Sequence, residues 1–318
     1  MKPHLTLEGQ LSLLVTNGLK VSDPDLFLNL LKQQNYYRLR GYFHPFLSEV
    51  DGKATNQFKP QSTDQTIIEL VEFDRMLRSL LFEALAVFET QFRAVLAYHA
   101  GEASPHAHVD GIGLSPDFKT AQKDSVGSAH EKWLIGYRGS LRRHRENYIV
   151  VKHDTFEDGK FPIWAAVELL DFGNISRLFA GLDEPVATAV ANEFGGGARF
   201  MKGVVQSLNN LRNHVAHQSR LWNFHYPQNP PSRQALLPDD LMHLHDLEDY
   251  ERSKLFTRLS VLLWLDGENR FGLNLRKRLF DLLQTLPKSE YIRLSSMGYS
   301  SVFQNSNLWS GFSQWNNK

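Results

Sequence analysis

The 318-residue chain reads as an all-α protein: a multi-helix bundle around one long central helix, with at most a minor hairpin. Three observations predict this. Apolar residues recur at three-and-four spacing through most of the sequence. One such series, from Thr66 to Ala100, runs without a proline or glycine. Strand-like alternation is nearly confined to Tyr148–Lys152.

The long series carries Leu70, Phe73, Leu77, Leu80, Leu81, Ala84, Leu85, Phe88, Phe92 and Val95 on one stripe, and Gly101 is its expected C-cap. It is the predicted spine. Further helices are predicted over Leu5–Thr16, Asp25–Gln34, Glu131–Asn147, Ile163–Ala180, Ala198–Ser219, Asp239–Leu265 and Asn274–Leu286. Asp158-Gly159 would close a short hairpin after Tyr148–Lys152. Gly101–Gly113, Phe194–Gly197 and the proline-rich Phe224–Pro238 read as loops. The expected organisation is an N-terminal helical region (1–60) packed on the body, a central helical domain (61–225) and a C-terminal helical region with a tail (226–318).

Composition narrows the function. Hydrophobic residues at 42% and charged ones at 22% suit a globular chain and argue against global disorder. Lys plus Arg and Asp plus Glu are 35 each, which excludes a uniformly cationic field but not a local basic patch. With no cysteine, disulfides, thiolate zinc sites and cysteine nucleophiles are excluded. Met1–Leu14 lacks the apolar core and cleavage site of a signal peptide, and no window approaches a membrane span. The expectation is a soluble cytoplasmic protein.

The chemistry-bearing segment is Leu208–Tyr226, LNNLRNHVAHQSRLWNFHY. It holds Arg212-Asn213-x-x-x-His217. Arg followed at short range by His is the signature of a group of helical ribonucleases, but spacing alone decides nothing. It also occurs at Arg93–His99, Arg138–His144 and Arg220–His225, as chance allows in a chain with 13 histidines. Helix geometry separates the candidates. At about 100° per residue, Val204, Leu208, Leu211 and Val215 share one face, while Gln206, Asn210, Asn213 and His217 share the opposite one within roughly 60°. Arg212 lies on the flank. These residues are either a solvated polar face or a site.

As a site, they suit phosphodiester chemistry. Imidazole can take the proton of an RNA 2′-hydroxyl or give one to the departing 5′-oxygen. Guanidinium binds phosphate through a two-pronged fork and stabilises the more charged transition state. The ribose hydroxyl is the internal nucleophile, so the substrate is RNA and no metal or other cofactor is expected. One histidine serves one end of the reaction, and a two-fold dimer would supply the second.

Several segments together resemble the bacterial Abi (abortive infection) proteins of the AbiD/AbiF type, in the HEPN superfamily. They are Leu211–Asn223 with Ser219-Arg220-Leu221-Trp222-Asn223, Asn35–Tyr42 followed by Pro45-Phe46, and Phe73-Asp74-Arg75-x-Leu77-Arg78 with Glu89 and Arg93. To these add Pro162-Ile163-Trp164 with Glu168–Gly173 and Ser176–Leu178, then Met297-Gly298-Tyr299 and Leu308-Trp309. The resemblance covers nearly the whole chain. It implies an all-helical HEPN-like fold, a homodimer, and a metal-independent endoribonuclease acting as a toxin in phage defence. By the same resemblance Arg212, Asn213 and His217 are catalytic and Glu89 or Arg93 supports them. His214, where a variable residue is expected, assists or is idle. An inhibitory small RNA becomes a candidate partner.

Other features stand beside this site. Arg138, Arg142, Arg143, Arg145 and Lys152, with His144 and His153, form a basic stretch with Tyr137 and Tyr148 beside it. This is either an RNA-backbone groove with stacking options or a solvated helix face. Gly195-Gly196-Gly197 reads as a plain turn rather than a phosphate cradle. His225, His243, His245, Asp246 and Asp249 invite a metal reading. On a helix, however, His243 and His245 point about 160° apart. Trp309, Phe312 and Trp315 either dock on the body or fray. The competing functions are therefore a non-catalytic RNA-binding or RNA-sensing module and, more weakly, a metal-dependent hydrolase.

Overall fold

The computed structural model describes residues 4–121, 123, 126–156 and 161–312, with only the backbone at 153–156. His153 as a side chain, the Asp158-Gly159 turn and Trp315 lie outside the described residues.

The N-terminal region is built from capped helices. Thr6 caps α1 (Leu7–Thr16), and Asp23 caps α2 (Pro24–Gln34), with proline at its first position. Asn35 caps α3 (Tyr36–Phe43). A two-stranded antiparallel hairpin follows, β1 (Leu47–Val50) and β2 (Lys53–Phe58), and it is where the minor hairpin lies. Asp51 and Gly52, both at positive φ (51° and 71°), form the turn whose twist suits a tight hairpin.

The spine is α4 (Asp64–Ala103), 40 residues and about 60 Å long. Thr63 caps it. It runs past Gly101 to Ser104, and this corrects the expected C-cap. Gly101 instead lies close under Trp164: a Cβ there would sit 3.3 Å from the ring, a tight contact. Short helices α5 (Ala107–Asp110) and α6 (Pro116–Lys119) lead to α7 (Ala129–Arg143), opened by a Ser128/Glu131 capping box. Tyr148–Lys152 is not a strand but the start of α8 (Tyr148–Phe156). The Asn147 side chain accepts the Ile149 amide at 2.9 Å and starts the helix.

The helix expected over Ile163–Ala180 is broken. After α9 (Ile163–Ala166) and a 3₁₀ turn at Val167–Leu169, the chain extends at Leu170, and Asp171 caps α10 (Phe172–Gly181). The break has a cause: Arg93 of α4 donates to the carbonyls of Val167 and Leu170, which an unbroken helix would use itself. Then come α11 (Glu184–Asn192) and α12 (Ala198–Ala216). Asp239–Leu265 is likewise three pieces, a 3₁₀ segment at Asp239–Leu244, α13 (Asp249–Arg252) and α14 (Leu255–Asp266). A Glu248/Glu251 capping box restarts the chain at α13, and Lys254 is extended. The last α-helix among the described residues is α15 (Leu275–Leu283), and 3₁₀ segments at Leu294–Met297, Ser301–Asn305 and Asn307–Trp309 follow it.

The helices α2, α3, α9, α10, α11, α12 and α15 all pack on α4, while α7 lies on the far side of α10. The N-terminal region is therefore part of the bundle. Phe88 and Phe92 of the spine meet Phe172 and Phe194 in an edge-to-face and tilted cluster at 5.5–6.3 Å, with Phe179 at 5.1 Å from Phe92. The hydrophobic core is continuous from Leu14 to Phe312. Trp309 and Phe312 are buried against Phe256 and Phe280, and the Trp309 indole donates to Ser260 at 2.7 Å. Thus the aromatic tail docks as far as Phe312. The glycine turn at 195–197 packs against Trp264. Among the described residues, no helix is long and apolar enough to cross a membrane.

Candidate functional site

Helix α12 presents its two faces as its sequence dictates. Val204, Leu208, Leu211 and Val215 are buried, whereas Gln206, Asn213 and His217 are exposed and Asn210 is half-buried. His217 closes the helix as its C-cap, its amide bonded to the Asn213 carbonyl at 2.9 Å. Asn213 and His217 therefore project from one turn into solvent.

Arg212 is half-buried and is held from the spine. Its Nε donates to Glu89 Oε2 at 3.1 Å, while the other oxygen of Glu89 pairs with Arg93. Arg93 in turn holds the Val167 and Leu170 carbonyls. The chain of contacts is thus α9–α10 break, Arg93, Glu89, Arg212. It fixes the guanidinium by Nε and leaves both terminal nitrogens without a protein partner among the described residues. A two-pronged donor held by its stem is the arrangement that a phosphate or carboxylate ligand would meet. Glu89, 9% exposed, is a buried carboxylate shared by two arginines, which supply the positive charge its burial requires.

His214 packs on the segment that follows the helix. Its ring sits 4.2 Å from Phe224 and 5.5 Å from Tyr226, and burial together with nearby Arg258 and His217 lowers its pKa. It is an aromatic packing partner whose neutral form its surroundings favour.

The segment after His217 is held by residues to which sequence reasoning gave no role. Asp74, fully buried in α4, accepts from the Tyr42 hydroxyl at 2.7 Å, from Arg78, and from the amides of Leu221 (3.0 Å) and Trp222 (2.8 Å). Arg38 of α3 donates to the Gln218 carbonyl. Arg220 lies directly on Gly41, where a Cβ would fall 1.7 Å from its Nη1. A signal was present: Asp74 stands inside the apolar stripe of Leu70, Phe73 and Leu77, where a carboxylate must find partners.

The basic stretch is exposed throughout. Arg138, Arg142, Arg143, Arg145 and Lys152 reach solvent, the last two of these arginines being engaged only by Ser140 and Glu146. Tyr148 is exposed as well, but Tyr137 is buried and stacks on Trp133. That removes Tyr137 as a stacking platform. The histidines of the metal reading diverge. His225 meets Ser253, His243 meets Ser260 inside the core, and His245 meets the Ser232 carbonyl. Among the described residues no three His, Asp or Glu side chains are grouped to hold a metal ion.

No match is found among curated proteins or among solved structures. A family described as Abi-like protein matches residues 29–223, more than half of the chain. The match spans α3, the spine, the Arg93–Glu89–Arg212 chain, Asn213 and His217, and it ends at Asn223, one residue past the amides held by Asp74. On this evidence the chain belongs to the Abi-like protein family.

Proposed function

We propose that the protein is a metal-independent endoribonuclease of the HEPN type, within the AbiD/AbiF branch of the Abi proteins, acting in abortive-infection phage defence. Membership of the Abi-like family supports the biological setting. One observation carries the chemistry: Arg212 is fixed through Nε by Glu89, its terminal nitrogens are free to bind phosphate, and Asn213 and His217 stand exposed beside it at the same helix end.

In this reading a ribose 2′-oxygen attacks the adjacent phosphorus, the bond to the 5′-oxygen breaks, and a 2′,3′-cyclic phosphate and a 5′-hydroxyl result. His217 takes the 2′ proton, and the partner's His217 gives a proton to the departing oxygen in a homodimer. Arg212 stabilises the added charge on the phosphate, and Asn213 orients the imidazole or a phosphate oxygen. The exposed cations Arg138, Arg142, Arg143, Arg145 and Lys152 would bind the RNA backbone.

The test is cleavage of single-stranded RNA by the purified protein in EDTA. Expected are cyclic-phosphate ends, lost in His217→Ala and Arg212→Ala. Cleavage that vanishes with chelator and returns with a divalent ion overturns the mechanism. Salt-sensitive RNA binding without turnover, unchanged in His217→Ala, favours instead the RNA-binding module that the exposed basic stretch supports.

A further inference from the structure

We propose that Arg38 is a positioning residue for His217, so that the N-terminal helix α3 is a working part of the site. This rests on the reading of His217 as the catalytic group.

The His217 side chain makes no hydrogen bond to protein among the described residues. Its location is therefore set by the backbone alone. That backbone is a helix end of a particular kind. Gln218 follows His217 at φ +56°, its amide bonded to Val215 O at 3.0 Å, and the Ser219 amide bonds to His214 O at 2.9 Å. This is the Schellman closure, whose left-handed position is usually glycine. A residue with a Cβ pays about 1–2 kcal/mol for that conformation, and it persists only where the surroundings over-determine it.

The surroundings do so from two other helices. Arg38 of α3 donates to the carbonyl of Gln218 itself. Arg78 of α4 reaches the Ser219 carbonyl at 3.5 Å. Asp74 takes the amides of Leu221 and Trp222, and Tyr42 of α3 holds Asp74. Every residue from 218 to 222 is thus bound through its backbone or, for Arg220, packed on Gly41 of α3. The others centre on the buried Asp74 and Arg78 or on Arg220 packed against Gly41, and they serve the fold. Arg38 differs. It is half-buried, has no carboxylate partner among the described residues, and its one bond is to the carbonyl adjacent to His217. Its removal leaves no buried charge unpaired, so the fold survives while the turn beside the imidazole loosens.

The test compares Arg38→Gln and Arg38→Lys in the full chain. Arg38→Gln should lower kcat for RNA cleavage about tenfold or more with KM unchanged, while its melting temperature stays near that of the parent. Arg38→Lys, which keeps a cationic donor, should recover most of the rate. In amide-exchange measurements, Ser219 and its neighbours should exchange faster in Arg38→Gln only, and the His217 imidazole NMR signal should shift or sharpen. Unchanged kcat, exchange and imidazole signal in Arg38→Gln overturn the inference. If the parent protein cleaves no RNA, the nuclease reading fails on its own. The exchange and NMR measurements then still decide whether Arg38 fixes His217.

Discussion

Replacing Asp74 by alanine removes the acceptor at the junction of α3, α4 and the segment after the site helix. The structure sets the magnitude. Asp74 has no solvent exposure, and Arg78, its ion-pair partner, is 5% exposed. Breaking such a pair by deleting one member costs about 3–5 kcal/mol, because the remaining charge stays buried. The Leu221 and Trp222 amides lose their acceptor as well, adding roughly 1 kcal/mol each where water cannot reach them. A loss of about 5 kcal/mol is a large share of a domain's stability. Urea unfolding followed by tryptophan fluorescence measures it. Replacing both partners with apolar residues, Asp74→Leu with Arg78→Met, should recover much of the loss, since the pair's desolvation cost disappears with it. A loss below about 1 kcal/mol for Asp74→Ala, or no recovery in the double variant, refutes the reasoning.

Acid should destabilise the fold through two buried histidines. Burial holds His108 and His243 at a pKa of about 4, against 6.5 unfolded, so stability is complete above pH 6.5 and falls as pH drops toward 4. Each histidine contributes a loss on the order of 3 kcal/mol by pH 4, and His108→Phe should flatten the urea-midpoint profile across that window. Glu89→Gln unpairs Arg93 and frees Arg212. It should cost about 2 kcal/mol in urea unfolding and slow RNA cleavage more than it weakens RNA binding. Gln218→Gly relieves the left-handed position and should raise stability by about 0.5–1 kcal/mol in thermal unfolding.

The sequence made the periodic parts legible and hid what distant side chains decide. The apolar stripes of α4 and α12 follow from residue spacing, so the spine and the exposed placement of Asn213 and His217 could be read directly. The break at Leu170 could not, because it depends on Arg93, some seventy-seven positions away, taking two carbonyls out of the helix. Gly101 reads as a cap in one dimension and in three lies mid-helix, close under Trp164. Alternation points to a strand at Tyr148–Lys152, which is helical. The hairpin instead forms around Asp51-Gly52, a stronger local turn signal whose flanking strands are mostly polar and do not alternate. At the site, Arg212, Asn213 and His217 stood out by chemistry. Of the residues that hold the turn after His217, Asp74 is marked by its place inside an apolar stripe, whereas Arg38 and Tyr42 carry no such mark and join it only in the fold.

The central claim is that two copies of the α12 surface act on one RNA strand. It is tested most directly by the structure of the assembled protein bound to an RNA whose 2′-hydroxyls are methylated to block cleavage. The expected result is one phosphodiester lying between His217 and the partner's His217, with Arg212 on its oxygens. RNA bound elsewhere, with the His217 surfaces apart in solvent or covered by protein packing, contradicts it.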